Sequence, residues 1–118
     1  MIEYTLNEHY KPHCDQACGG ETWQSRDRVA TMVMYCKAAT QGGGTAFTNA
    51  NLLIHGRQGD ALLFRYRTTD TPPVLDPNAM TEHTGCPVLA GEKKIITQWI
   101  REGVTKERDY DNQPWGKA

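Results

Sequence analysis

The chain has 118 residues, 38% of them apolar, with 11 glycines, 6 prolines and a net charge of -1. That length fits one small domain with one modest, loop-rich core. Scattered charges of both signs exclude a basic phosphate-neutralising stripe and hence nucleic-acid binding of that kind, and no apolar run nears the ~18 residues of a membrane span.

Residues 1–10 are polar and lack a basic stretch followed by an apolar one, so they do not read as a secretory leader. Of the two explanations, a cytosolic protein or a chain without its true N-terminus, we expect the second. The first chemically rich segment is His9-Tyr10-Lys11-Pro12-His13-Cys14-Asp15. Alternate side chains of an extended segment share a face, so His13 and Asp15 can offer a nitrogen and a carboxylate to one ion; His9, which adjoins the motif, is read as a surface residue. Two ligands hold a metal poorly, so a third must come from elsewhere.

Residues 28–36 alternate as a strand, with Val29, Thr31, Val33 and Tyr35 on one face and Ala30, Met32, Met34 and Cys36 on the other. A turn follows at Thr40-Gln41-Gly42-Gly43-Gly44, where glycines permit backbone angles other residues resist. His55, just before a second turn, reads as a surface residue. A strand is predicted over 61–66, introduced by Gln58-Gly59-Asp60. Residues 68–80 contain Pro72, Pro73 and Pro77, which exclude a central strand, and are read as an exposed loop.

The segment Thr81-Glu82-His83-Thr84-Gly85-Cys86 supplies the best third ligand, His83. Two histidines and one carboxylate leave open positions on an octahedral ion, the arrangement of non-haem Fe(II) oxygenases; a closed zinc site would not. A short strand is predicted over 87–90 and the most apolar one over 93–100. Alternation puts Lys93, Ile95, Thr97 and Trp99 on one face of it. A lysine facing inward beside Ile and Trp needs an anion; alternatively, Lys93 or Lys94 caps a solvated strand end. Residues 103–118 are polar and read as a C-terminal extension of a core spanning 1–102. The four cysteines allow two disulfides in three connectivities. Their C-x3-C spacing is a poor zinc signature, so structural thiols or disulfides are expected.

Five motifs then stand in order: Tyr4-x-x-Asn7-x-x-Tyr10-x-Pro12-His13-x-Asp15; Asp27-Arg28-Val29-Ala30-Thr31 leading to Tyr35; Gly42-Gly43-Gly44-Thr45-Ala46-Phe47; Gly59-Asp60-Ala61 leading to Phe64; and His83-x-x-Cys86-Pro87-Val88-x-x-Gly91-x-Lys93 leading to Trp99. In this series, over about residues 1–102, the chain resembles the catalytic core of the prolyl 4-hydroxylases, Fe(II)- and 2-oxoglutarate-dependent dioxygenases. The resemblance implies an all-β double-stranded β-helix, the jelly-roll or cupin-like barrel, here truncated at its N-terminal edge. It implies iron ligation by His13, Asp15 and His83. It further implies a 2-oxoglutarate site in which Lys93 and Tyr4 meet the distal carboxylate, Thr97 and Trp99 line the pocket, and Tyr35 lies beside it. The implied reaction hydroxylates a peptidyl residue, proline first, and releases succinate and CO2, with ascorbate as reductant and a proline-rich peptide or protein as partner. The implied compartment is the endoplasmic reticulum lumen.

Three departures stand out. Asn7 takes a position where the family favours Gly, which Asn tolerates through left-handed backbone angles. Cys14 replaces an aromatic between two ligands and is expected to be a smaller neighbour rather than a thiolate ligand. The long, proline-rich 68–80 segment implies peptide specificity other than collagen proline. Two competing expectations are a truncated, inactive relative that binds metal or peptide, and a cupin that uses no 2-oxoglutarate.

Overall fold

A computed structural model describes residues 1–20 and 28–101. Among them every regular element is a strand: β1 (Ile2–Tyr4), β2 (Tyr10–His13), β3 (Arg28–Lys37), β4 (Gln41–Gly42), β5 (Thr45–Phe47), β6 (Leu52–Ile54), β7 (Ala61–Arg65), β8 (His83–Gly85), β9 (Val88–Ala90) and β10 (Lys93–Arg101). They form two four-stranded antiparallel sheets, β1-β10-β3-β7 and β2-β8-β5-β6, and a small β4-β9 pair. This is the expected all-β, jelly-roll-like architecture. No described helix is long and apolar enough to cross a membrane. The 103–118 extension and Asp27 lie outside the described residues.

The two strongest periodic segments build the larger sheet. β3 and β10 pair along most of their length, from Lys94↔Lys37 to Arg101↔Arg28. The predicted inward face of β3 is buried at Val29, Thr31, Val33 and Tyr35. Of these, Val33 and Tyr35 pack with Tyr4, Phe47, Phe64, Val88 and Ile95 into one core between the sheets. Phe47 and Phe64 meet edge to face at 5.2 Å, an orientation aromatic rings prefer.

The triple-glycine turn serves the core directly. Gly42 and Gly43 adopt φ of 72° and 70°, left-handed values that cost a side-chain-bearing residue about 1–2 kcal/mol. The turn thereby lets the Gly43 amide donate to the Pro87 carbonyl at 2.9 Å and aims the Gly43 carbonyl inward. Asn7 likewise holds φ at 66°, the backbone angle for which Asn substitutes for Gly.

The 68–80 segment differs from the exposed loop expected. Leu75 is only 2% exposed and belongs to the core, and Arg67 and Leu75 form an antiparallel bridge. Asp76 and Thr68 amides donate to the Tyr66 and Val74 carbonyls. Prolines exclude a long ladder, yet Val74 and Leu75 between them supply enough apolar surface to fold the arm back onto the barrel.

Candidate functional site

The strand pairing of the smaller sheet brings the two histidines together. β2 lies antiparallel to β8 with His13 directly opposite His83, and the rings are 4.3 Å apart. Asp15 is not on the strand, as alternation from His13 assumed, but in a bend just after it. It still turns the same way: Asp15 Oδ1 lies 3.1 Å from His13 Nε2 and 3.4 Å from His83 Nε2. One ligand atom from each residue falls within 4.8 Å of the others, a spacing that can surround one metal ion.

Each imidazole is oriented by its other nitrogen. His13 Nδ1 donates to the Lys11 carbonyl and His83 Nδ1 to the Thr81 carbonyl, each at 2.8 Å. That tautomer leaves the lone pairs of both Nε2 atoms, together with Asp15 Oδ1, free to ligate a metal ion. His83 is wedged against Phe64 and Phe47 at 4.9 and 5.7 Å. Burial pushes its imidazole below the ordinary value of 6.5, outweighing the Thr81 carbonyl and Asp15, which act the other way. Metal and proton compete for the same nitrogen, and this burial favours the metal.

A pH dependence follows. The unfolded chain takes up a proton at His83 near pH 6.5, whereas the folded chain does so only at lower pH. The unfolded state thus binds more protons in that interval, and folded stability is lost as pH falls below 6.5. The metal-free protein is expected to melt at progressively lower temperature from pH 7 down through pH 6 (about the His range). A His83→Gln variant should show a flatter profile in the same scan.

The loop carrying Asp15 is closed by a Cys14–Cys18 disulfide across four sequence positions. Cys14 is therefore not simply a smaller neighbour of the ligands but one end of a clamp around Asp15, while Cys36 and Cys86 are free. Pairing could not be read from the spacing, which allowed three connectivities. Replacing Cys14 and Cys18 with Ser is expected to lower stability by about 2 kcal/mol through loop-closure entropy, measured by urea unfolding.

Beside the triad a cavity of about 290 Å3 opens between the sheets, lined by His13, Asp15 and His83 at one end and by Tyr4, Lys93, Thr97 and Trp99 elsewhere. Lys93 points inward, which decides between the two readings of this strand end: it is 3% exposed, while Lys94 reaches Glu3 at 3.7 Å on the surface. Lys93 Nζ donates to the Gly43 carbonyl at 3.0 Å and lies 4.7 Å from the Tyr4 ring. Among the described residues no carboxylate pairs with it. Burial accordingly pulls its ammonium below the usual lysine value, and burial raises the Tyr4 hydroxyl, which stays protonated as a donor. A buried cation beside hydroxyl donors is the environment an incoming carboxylate satisfies.

The structure places two of the expected cavity residues in more detail. Tyr35 is not on its wall but one layer behind: its hydroxyl bonds to Thr45 Oγ1 at 2.9 Å, and Thr45 lines the cavity. Trp99 lines the cavity but is half exposed, standing at the mouth with the Arg28 guanidinium stacked 3.7 Å above its ring. Thr45, Thr31 and Tyr10 also face the cavity and escaped assignment from sequence. Thr45 sits on a three-residue strand too short for periodicity to register. His9 and His55 are exposed, as read.

Comparison with known proteins gives a consistent picture. Residues 1–101 match the family model described as the 2OG-Fe(II) oxygenase superfamily. The chain is 36% identical over 107 residues to prolyl 4-hydroxylase subunit alpha-1 of Caenorhabditis elegans, covering 86% of this chain and 18% of that protein. It is 33% identical over 108 residues to the human subunit alpha-3, covering 86% and 19%. A crystal structure of the viral collagen prolyl hydroxylase from Paramecium Bursaria Chlorella virus-1, in complex with 2OG, superposes with a TM-score of 0.72 at 31% identity, covering 84% of this chain and 55% of that one. The chain thus spans about a fifth of the length of these animal relatives.

Proposed function

The chain belongs to the 2OG-Fe(II) oxygenase superfamily, and from that premise we propose that it is a dioxygenase hydroxylating a peptidyl residue, proline in the first instance. In this reading His13, Asp15 and His83 hold Fe(II) through Nε2, Oδ1 and Nε2, and the donor set suits that ion: two imidazoles and one carboxylate, with coordination positions left for ligands. Lys93 receives the distal carboxylate of 2-oxoglutarate, with the Tyr4 hydroxyl as second donor. Thr97 lines the same cavity, while Tyr35 braces Thr45 from behind.

Bound iron and 2-oxoglutarate together supply the oxidising chemistry, in which O2 converts the keto acid to succinate and CO2 and one oxygen atom enters an unactivated C–H bond. The chain's own work is to hold and shield. Phe47 and Phe64 fix the His83 ring, and the apolar side chains of Val33 and Ile95 on the cavity wall keep bulk water low around the reacting atoms. Trp99 and Tyr10, both half exposed at the cavity, offer aromatic surface to a peptide carrying proline. Ascorbate serves as reductant after turnover uncoupled from substrate.

The observation that carries the reading is the pairing of two features in one cavity: a facing triad of ligand atoms, and a buried ammonium that donates to the Gly43 backbone carbonyl. Succinate release, measured with Fe(II), 2-oxoglutarate and ascorbate with and without a proline-rich peptide, tests it. We expect release that the peptide stimulates, with one oxygen atom added to the peptide by mass. Metal binding without succinate under either condition would instead favour a binding-only relative.

A further inference from the structure

Asp15 has two carboxylate oxygens, and the structure treats them differently. Oδ1 faces both histidine Nε2 atoms. Oδ2 accepts a hydrogen bond of 2.6 Å from Thr31 Oγ1, a fully buried residue on the inward face of β3. Thr31 has one hydroxyl proton, and the carboxylate takes it. The 3.3 Å contact between Thr31 Oγ1 and the Tyr66 hydroxyl is therefore a donation from Tyr66 to Thr31. A directed chain results, Tyr66 to Thr31 to Asp15 Oδ2, and the Arg28 guanidinium donates to the Asp15 carbonyl at 2.9 Å.

We propose that Thr31 is a positioning residue that holds Asp15 as a one-oxygen ligand and so reserves coordination positions for 2-oxoglutarate. The proposal rests on the oxygenase reading above. A carboxylate freed on its Oδ2 side can rotate to give both oxygens to the ion, as carboxylates do at other metal sites. That occupies a position the chelating keto acid needs. The β-branched Thr side chain has few accessible rotamers on a strand, and Tyr66 fixes its hydroxyl direction, so the restraint is built in before any ion arrives.

The test measures Mn(II) affinity of the full chain by calorimetry, then 2-oxoglutarate affinity of the Mn(II)-loaded protein, with no turnover involved. Thr31→Val keeps the shape and removes the hydroxyl. It is expected to weaken Mn(II) binding about 10- to 100-fold, the range seen when an outer-shell partner is lost, and to weaken 2-oxoglutarate binding to whatever metal remains bound. Thr31→Ser is expected to restore both to within about threefold of wild type, a rescue that a purely space-filling role for the Thr methyl would not produce. Tyr66→Phe should fall between wild type and Thr31→Val. Wild-type affinities in Thr31→Val overturn the proposal while leaving the oxygenase reading intact; a wild-type chain that binds no Mn(II) overturns both. If Thr31→Val does not fold, Tyr66→Phe decides: weaker binding supports the proposal and unchanged binding overturns it.

Discussion

Replacing His83 with alanine is expected to abolish metal binding and all succinate release while leaving the fold in place. His83 begins β8 directly opposite His13, and its Nε2 is one of three ligand atoms clustered at the cavity end. Removing it leaves a histidine and a carboxylate, too few to retain a labile divalent ion. The loss should exceed the 10- to 100-fold that removal of an outer-shell partner costs. The same substitution empties a space against Phe47 and Phe64, so some stability is lost as well, and calorimetry on the folded variant separates the two effects. Mn(II) affinity within tenfold of wild type (about 1.4 kcal/mol) would remove His83 from the ligand set.

Lys93→Met is expected to produce two changes of opposite sign. Affinity for 2-oxoglutarate should fall by about 2–5 kcal/mol, roughly 30-fold or more, because the distal carboxylate would enter a buried cavity without its cation. Stability of the ligand-free protein should rise, because an ammonium only 3% exposed is held there by a backbone carbonyl and the face of Tyr4, with no carboxylate partner among the described residues, and methionine fills a similar volume with no charge to bury. A thermal melt without ligand and a 2-oxoglutarate titration of the Mn(II)-loaded protein read the two changes separately. A variant that melts lower and binds 2-oxoglutarate as well as wild type would show that Lys93 is a structural cation instead.

How much of this was legible in the sequence depended on the length of the signal. β3 and β10 are ten and nine residues long, long enough for alternation to declare both the strand and its inward face, so Thr31, Tyr35, Lys93 and Thr97 were placed on the correct side. β1, β5, β6 and β8 are three residues each, below what a period of two can reveal. They are held by their neighbours in the sheet rather than by their own pattern. The histidines were found because H-x-D and the segment around His83 carry distinctive residue types. Asp15 was placed on the right side by an argument that did not hold in detail, since the chain bends between His13 and Asp15 and the Cys14–Cys18 bond closes that bend.

The hydroxyls that organise the site were harder to read. Threonine is common in strands for reasons of shape alone, so nothing distinguished Thr31 and Thr45 until the carboxylate and Tyr35 appeared beside them. Tyr35 illustrates the limit of residue-by-residue inference: its inward face was correct, yet Thr45 stands between it and the cavity. Leu75 gives the complementary case, an apolar residue inside a proline-rich stretch that packs into the core despite flanks read as loop.

The most direct measurement adds Fe(II) and 2-oxoglutarate to the protein without oxygen and records the visible spectrum. A weak charge-transfer band should appear only when both are present, be lost in His83→Ala, and require far more 2-oxoglutarate in Lys93→Met. Absence of the band in the wild-type protein, or its survival in His83→Ala, would contradict a metal centre built from residues 13, 15 and 83 that leaves room for a chelating keto acid.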